Sequence, residues 1–386
     1  MYGRTMTVAR RLGPPVAFAV VLIAIVLGLW EVHVPIGIDF HTYEAAARVG
    51  LQQGWSHIYD PAAVASKQLE LVPGQVAQPF LSPPTTAWLA ALLAFLPYWP
   101  SYYIWSTFTL GAFAIALLWS SRDRGLVRWV TAGAALAPWW VAQAEHVGQV
   151  VPLVAVGMLL AWRLIRERRD LLGGAALALL FLKPNTAFLV PLALAVAGRF
   201  RAFIAWAGVG ALVAAVALIT LGPSGISSYL SQLTGSLPLG ADSLTLGGAL
   251  GVTGPVALGL RIVIVGASLA AAFRFRDSPG LAIAVGTLGS LLVVPYLHGS
   301  DLCLLSAAAF IVWQERTTLA WRIPIAAGWV IASPFVQMSS LSLRLNRWPL
   351  IEMLLLAALV FEAWRPRAAD EGALTGEGDL KRQATA

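Results

Sequence analysis

The chain has 386 residues, 58% of them hydrophobic and 12% charged, with a mean hydropathy of +0.75. No single core of that length hides so much apolar surface, which excludes a soluble globular protein. A formal net charge of +7 and a pI near 9.9 would suit nucleic acid. The arginines, however, sit in short segments between apolar runs, where membrane orientation and anionic headgroups account for them.

The apolar runs are continuous and rich in Ala, Leu, Val and Gly, so the fold class is an all-α polytopic transmembrane bundle and not a barrel. Arg4, Arg10 and Arg11 precede the first run, as in a signal peptide. Residues 26–33 lack a small-x-small cleavage site, so the run is expected to remain as a first helix. Twelve spans are predicted: 14–31, 101–120, 126–143, 149–165, 171–183, 185–198, 202–221, 255–273, 279–297, 300–313, 320–338 and 348–364. Residues 84–96 are apolar but short and bracketed by prolines, which suits a re-entrant or interfacial helix. Residues 32–100 thus form one large outer segment. The short runs 171–183 and 185–198 meet at Lys183-Pro184-Asn185 and read as two half-length helices with an outer-leaflet cavity at their tip.

Threaded with the N-terminus inside, all of the 26 basic residues except Arg48, Lys67, Lys183, Arg261, Arg344 and Arg347 fall on the cytoplasmic side. Residues 1–365 form one membrane domain, and the polar tail 366–386 is expected to be disordered in the cytoplasm. Cys303, the sole cysteine, lies in an apolar run and reads as a buried thiol.

This threading places all five histidines (His33, His41, His57, His146, His298) outside. Glu31, Asp39, Glu44, Asp60, Glu70, Glu145, Asp242 and Asp301 join them. Ionisable groups near a membrane are costly and tend to be functional. Asp39, in Gly37-Ile38-Asp39-Phe40-His41-Thr42-Tyr43, reads either as a base for an incoming hydroxyl or as a helix N-cap. Asp60, before Pro61, reads as a turn or cap.

Lys183, flanked by apolar half-helices, needs an anion or water; a lipid phosphate would serve, and snorkelling is the alternative. In Pro295-Tyr296-Leu297-His298-Gly299-Ser300-Asp301, His298 could meet a phosphate oxygen or shuttle a proton. Asp301 could orient it or cap the next helix. Gln149 suits sugar hydroxyls or capping. Arg344, Arg347 and Trp348 read as an interfacial anchor, with anionic lipid binding as the alternative. No metal-ligand spacing, phosphate loop or dinucleotide fingerprint occurs, so neither metal nor cofactor is expected.

In order along one face, Gly37-Ile38-Asp39-Phe40 with Tyr43, Gly54-Trp55-Ser56-His57-Ile58-Tyr59-Asp60, Pro79-Phe80-Leu81-Ser82-Pro83-Pro84, Gly148-Gln149, Lys183-Pro184 and Pro295-Tyr296-Leu297-His298 with Asp301 resemble glycosyltransferase family 87. These are polyprenol-phosphate-mannose-dependent enzymes of the GT-C membrane fold, and the likeness spans about 14–364. Many members carry a fuller aromatic and histidine cluster where this chain has residues 296–301. The preference for Arg over Lys with abundant Ala and Gly fits a GC-rich bacterial genome, and the resemblance implies a cell-envelope hexosyltransferase in the plasma membrane. It would move mannose from a polyprenyl phosphate to a lipid or glycan acceptor at the extracytoplasmic face, with inversion. It implies Asp39 as catalytic base and His298 on the donor phosphate. Lys183 joins His298 there by the charge argument, with His41, Tyr43, Tyr59, Gln149 and Asp301 as possible substrate contacts. The rival reading is a transporter or flippase for lipid-linked saccharides. Against it stands the lopsided distribution of polar groups, since alternating access expects comparable sites on both faces.

Overall fold

The computed structural model describes residues 33–235, 244–339 and 347–365, with parts of 14–29. Arg4, Arg10, Arg11, Glu31, Asp242, Arg344 and the tail 366–386 lie outside the described residues. Of the first expected span, the described residues are helical, and no strand occurs among the described residues of the chain.

The segment expected to lie outside contains α1 (Ile38–Gln53), a 3-10 turn (Trp55–His57), α2 (Pro61–Leu71) and α3 (Pro84–Ala91). At 8 residues, α3 is about 12 Å long, far short of the ~30 Å hydrocarbon layer. Next come α4 (Tyr98–Ser120), α5 (Gly125–Leu136), α6 (Trp139–Val147) and α7 (Val151–Arg166). The span expected at 126–143 is therefore two helices. Pro138 stands between them with an extended ψ of 142°, and its ring cannot continue the α5 ladder.

Beyond α7, α8 (Asp170–Ala176) tightens into a 3-10 stretch, Leu177–Leu182, and a second 3-10 turn, Pro184–Thr186, leads to α9 (Leu189–Val196). The half-helices are thus shorter than expected, with 3-10 geometry on both sides of Lys183. α10 (Phe200–Gly235) breaks at Gly222, whose φ of 62° and ψ of −178° precede Pro223. The rest comprises α11 (Leu246–Leu250), α12 (Gly254–Arg274), α13 (Pro279–Val293), α14 (Cys303–Glu315), α15 (Leu319–Ile331), α16 (Pro334–Gln337) and α17 (Trp348–Trp364). The span expected at 320–338 is divided at Ser333-Pro334.

Among the described residues, α4, α10 and α12 are long and apolar enough to cross a membrane, and the other expected spans are shorter or broken. Ile204, Leu212 and Ile219 of α10 and Ile262 of α12 are exposed, a surface water would not tolerate at this density. These apolar faces make the protein membrane-associated. α13 is buried along its whole length, packed by α9, α12, α14 and α17. Trp348 is part of this core, edge-on to Trp140 at 4.8 Å, so it is no interfacial anchor. Cys303 is buried and free, as expected.

The two ends of the bundle differ in chemistry. One end of α4 is tied to the start of α1, Tyr98 Oη donating to Gly37 O at 2.9 Å. Its other end, about 35 Å away, meets a polar cluster. There Arg122 N–H donates to Gln314 Oε1 (2.7 Å), Gln314 Nε2 to Asp123 Oδ2 (2.7 Å) and Trp162 Nε1 to Glu315 Oε1 (2.8 Å). Arg163 and Arg166 donate to Trp119 O and Ser120 O at that end. Arginines of two expected inner loops are therefore gathered far from Asp39.

Close helix packing depends on small residues. A Cβ on Gly174 of α8 would lie 2.0 Å from the backbone oxygen of Ala202, whereas one on Gly208 of α10 meets nothing within 4 Å. Gly174→Ala should destabilise the fold by about 1–3 kcal/mol through forced separation of α8 and α10. Gly208→Ala should be neutral or stabilising by about 0.5–1 kcal/mol. Thermal unfolding of the two variants in detergent checks the contrast, and equal melting temperatures would refute it.

Candidate functional site

Asp39 lies in the first turn of α1. The N-cap position is taken by Gly37 in the left-handed region, and no side chain caps the helix. The capping alternative for Asp39 is thus not what the fold uses. Asp60 does cap: its Oδ1 accepts from Ala62 N (2.9 Å) and Ala63 N (3.2 Å) at the start of α2.

The loop from α6 to α7 is brought against α1 by a left-handed glycine. Gly148 has φ +73°, and a Cβ there would meet Phe40 Cβ at 2.5 Å. Gly37 N donates to His146 O (2.7 Å) and Trp105 Nε1 to Gly148 O (3.0 Å). The next residue, Gln149, therefore faces α1, and its Nε2 donates to Asp39 Oδ2 at 2.8 Å. Its Oε1 accepts from Tyr43 Oη at 2.5 Å and from Val150 N at 3.0 Å, and since α7 has Val150 as its N-cap with no side-chain cap, Gln149 does not cap the helix.

Lys183 stands where the apolar helices break. The freed carbonyls before it are satisfied from α3: Thr85 Oγ1 donates to Phe181 O (2.8 Å) and Thr86 Oγ1 to Leu182 O (3.1 Å). Burying those carbonyls without donors would be costly. The ammonium neither snorkels nor stands alone. It donates to Asp301 Oδ1 at 2.5 Å, with the lysine side chain 12% exposed and the aspartate fully buried.

Asp301 also accepts the His298 backbone N–H on Oδ2 at 2.9 Å, closing the 3-10 turn Gly299–Leu302. His298 is half exposed, Nδ1 3.9 Å from the same oxygen, its ring edge-on to Tyr296 at 5.8 Å. Lys183, His298 and Asp301 all lie within electrostatic reach of Asp39.

The fold thus assembles Asp39, Tyr43, Gln149, Lys183, His298 and Asp301 from four separated segments. Two sequence candidates fall outside this group. His41 is fully buried on the other side of α1, its Nε2 bonded to Gln68 O at 2.7 Å. Tyr59 is buried in a layer behind Tyr43, stacked on Phe80 at 5.3 Å, with its hydroxyl on Ser82 O. Sequence reasoning missed Thr85 and Thr86, which follow Pro83-Pro84 with no signal beyond ordinary helix-start polarity. It also missed the pairing of Lys183 with Asp301.

Electrostatically, burial pushes the Asp39 carboxyl above its ordinary value, opposed by Lys183 and His298, reinforced by Asp301, and opposed again by the Gln149 donor. Among the described residues no group of three or more His, Cys, Asp or Glu side chains converges as a metal site. The arrangement offers a partly open carboxylate facing a cation and an imidazole, which suits proton removal beside an anionic leaving group.

A buried pair is costly to break on one side only. Lys183→Met should destabilise by about 3–5 kcal/mol, because Asp301 is left buried without its cation. Combining it with Asp301→Asn should recover part of that loss. Melting temperatures of the single and double variants test this, and a double variant as unstable as the sum of both singles would count against the pair.

A model of glycosyltransferase family 87 matches residues 80–295, more than half of the chain. The matched stretch contains Gln149 and Lys183 and ends before His298 and Asp301; Asp39 precedes it. No curated protein and no solved structure matches the chain. The extent of the family match, on a helical membrane-associated protein, shows that the chain belongs to glycosyltransferase family 87.

Proposed function

We propose that this glycosyltransferase moves a hexose, with mannose as the assignment, from a polyprenyl phosphate to a lipid or glycan acceptor at the extracytoplasmic face. The observation that carries the reading is the convergence of the Asp39 carboxylate with Lys183 and His298 at the end of the bundle far from the arginine clusters.

The chemistry follows from those groups. The acceptor oxygen attacks the anomeric carbon as Asp39 takes its proton. The bond from that carbon to the phosphate oxygen breaks, and its electron pair stays on the phosphate. The phosphodiester carries one negative charge, and the leaving phosphate monoester gains a second. Lys183, with donors beyond the one directed at Asp301, and the half-exposed His298 stabilise that gain. A single displacement inverts the anomeric centre, and the membrane holds the donor beside the site in two dimensions.

Charge balance favours a monophosphate donor over a diphosphate. Asp301 already neutralises Lys183, so the cluster has little surplus positive charge. A nucleotide diphosphate would bring further anionic oxygens beside Asp39 and Asp301, where like charges repel.

Asp39→Asn should lower transfer from a radiolabelled polyprenyl-phosphate sugar by about 10²–10⁴-fold. A folded Asp39→Asn protein with full transfer removes the base assignment, and movement of the lipid-linked sugar across the membrane without transfer favours a flippase. Because Asp39 must be ionised to act and its carboxyl is raised, activity should fall on acidification at a pH above the ordinary carboxylate range. A pH–rate profile of the wild type measures that limb. For sidedness, His298→Cys in intact cells should react with a membrane-impermeant thiol reagent, since the native side chain is 53% exposed. Labelling only after the cells are opened would invert the topology.

A further inference from the structure

We infer that Gln149 and Tyr43 are positioning residues that aim and hold Asp39, and that neither one is a contact for the sugar. The inference rests on Asp39 being the base.

The hydrogen-bond pattern leaves the Gln149 amide one orientation. Val150 N–H can only donate, and it points at Oε1 from 3.0 Å. Tyr43 Oη donates to the same oxygen from 2.5 Å. A flipped amide would set its NH2 against the Val150 N–H and its carbonyl against the carboxylate, two repulsive contacts in place of attractive ones. The Nε2 therefore faces Asp39 Oδ2, at 2.8 Å. Since NH2 has no acceptor capacity, that carboxylate oxygen must be unprotonated, and a proton taken from the acceptor goes to Oδ1.

The frame behind the amide is fixed as well. Tyr43 is buried, with Phe80 at 6.4 Å and Trp105 at 6.2 Å between ring centroids. Gln149 N–H donates to Ala144 O at 2.8 Å, and Gln149 itself is 4% exposed. Both lone pairs of its Oε1 are taken by Tyr43 and Val150 and one Nε2 hydrogen by Asp39, so a sugar hydroxyl donating to the amide oxygen would have to displace Tyr43 or Val150.

The charged and titratable groups around Asp39 come from every neighbouring element: Lys183 from the helix break, His298 and Asp301 from the late turn, and Tyr43 from α1 itself. Of the groups acting on the carboxylate, Gln149 donates a neutral hydrogen bond directly to it. Removing that donor should change the ionisation of Asp39 without changing the net charge of the site.

The test is full pH–rate profiling of the intact membrane protein carrying Gln149→Leu or Tyr43→Phe, with polyprenyl-phosphate sugar and acceptor both varied. Gln149→Leu should lower kcat about 10–100-fold and move the acid limb upward by about one to two pH units, the worth of one hydrogen bond to a charged group. Tyr43→Phe, which keeps the ring packing and loses only the hydroxyl, should shift the limb in the same direction by less. Neither variant should change the KM for donor or acceptor more than a few-fold. A raised KM with kcat and acid limb unmoved would make Gln149 a substrate contact and overturn the inference. If Gln149→Leu fails to fold, Tyr43→Phe alone decides: an unmoved limb refutes the relay. Asp39→Asn separates the two levels. Full transfer by that variant defeats the base assignment, whereas loss of transfer with an unmoved limb in Gln149→Leu and Tyr43→Phe defeats only the positioning role.

Discussion

A lysine ammonium set between two short apolar helices cannot be left without a countercharge, and Asp301 provides it at 2.5 Å from a position 118 residues later. Most of the site's geometry follows from this pairing. It ties the break at Lys183 to the turn Gly299–Leu302, and so fixes where His298 stands. It also explains why the break can persist at all, because the lysine would otherwise either reach for the membrane surface or lose its proton. The threonines of α3 complete the arrangement by satisfying the carbonyls that the 3-10 geometry releases. Three chain segments are thereby locked around one cation, and of these only α3 is a regular helix at the point of contact.

The second constraint is steric. Gly148 lets the α6–α7 loop lie on Phe40 with no side chain between them, and this brings Gln149 to the carboxylate on α1. Phe40, Tyr98, Tyr102 and Trp105 fill the space around that contact. The Tyr98 end of α4 is thus an aromatic platform on which Asp39 and its Gln149 donor are mounted. Rigid support of this sort is what a base needs, since proton transfer is sensitive to small displacements.

Much of this was legible in the sequence, and the parts that were not have identifiable reasons. Continuous apolar runs and unevenly placed arginines announce membrane helices because lipid admits only helices or closed barrels, and these runs do not alternate. Lys183 and Asp39 stood out because a charge in apolar surroundings must have a use or a partner. The partner itself was hidden: nothing periodic relates positions 183 and 301, and Asp301 alone looks like a cap. Pro138 and Pro334 were visible as helix breakers, yet apolar composition on both sides masked the breaks. Helical period could have separated the α1 candidates. Asp39 and Tyr43 are four residues apart and share a face, while His41, two residues on, points nearly opposite. Trp348 read as an anchor because tryptophan favours both interfaces and cores, and only packing against Trp140 decides between them.

The forces on Asp39 change unequally once a donor arrives in the proposed complex. Burial and Asp301 oppose its negative charge, while Lys183, His298 and Gln149 favour it. A phosphate bound to Lys183 and His298 would offset both cations with its own charge, and that offset grows as the leaving group gains its second negative charge. The help they give the carboxylate falls when it is most needed. The Gln149 hydrogen bond is not subject to this competition: it is neutral, local and fixed by Tyr43 and Val150. A base held ionised only by cations would tend to protonate as its substrate binds. The proposed mechanism resolves the conflict by division of labour, with the cations serving the phosphate and the amide serving Asp39.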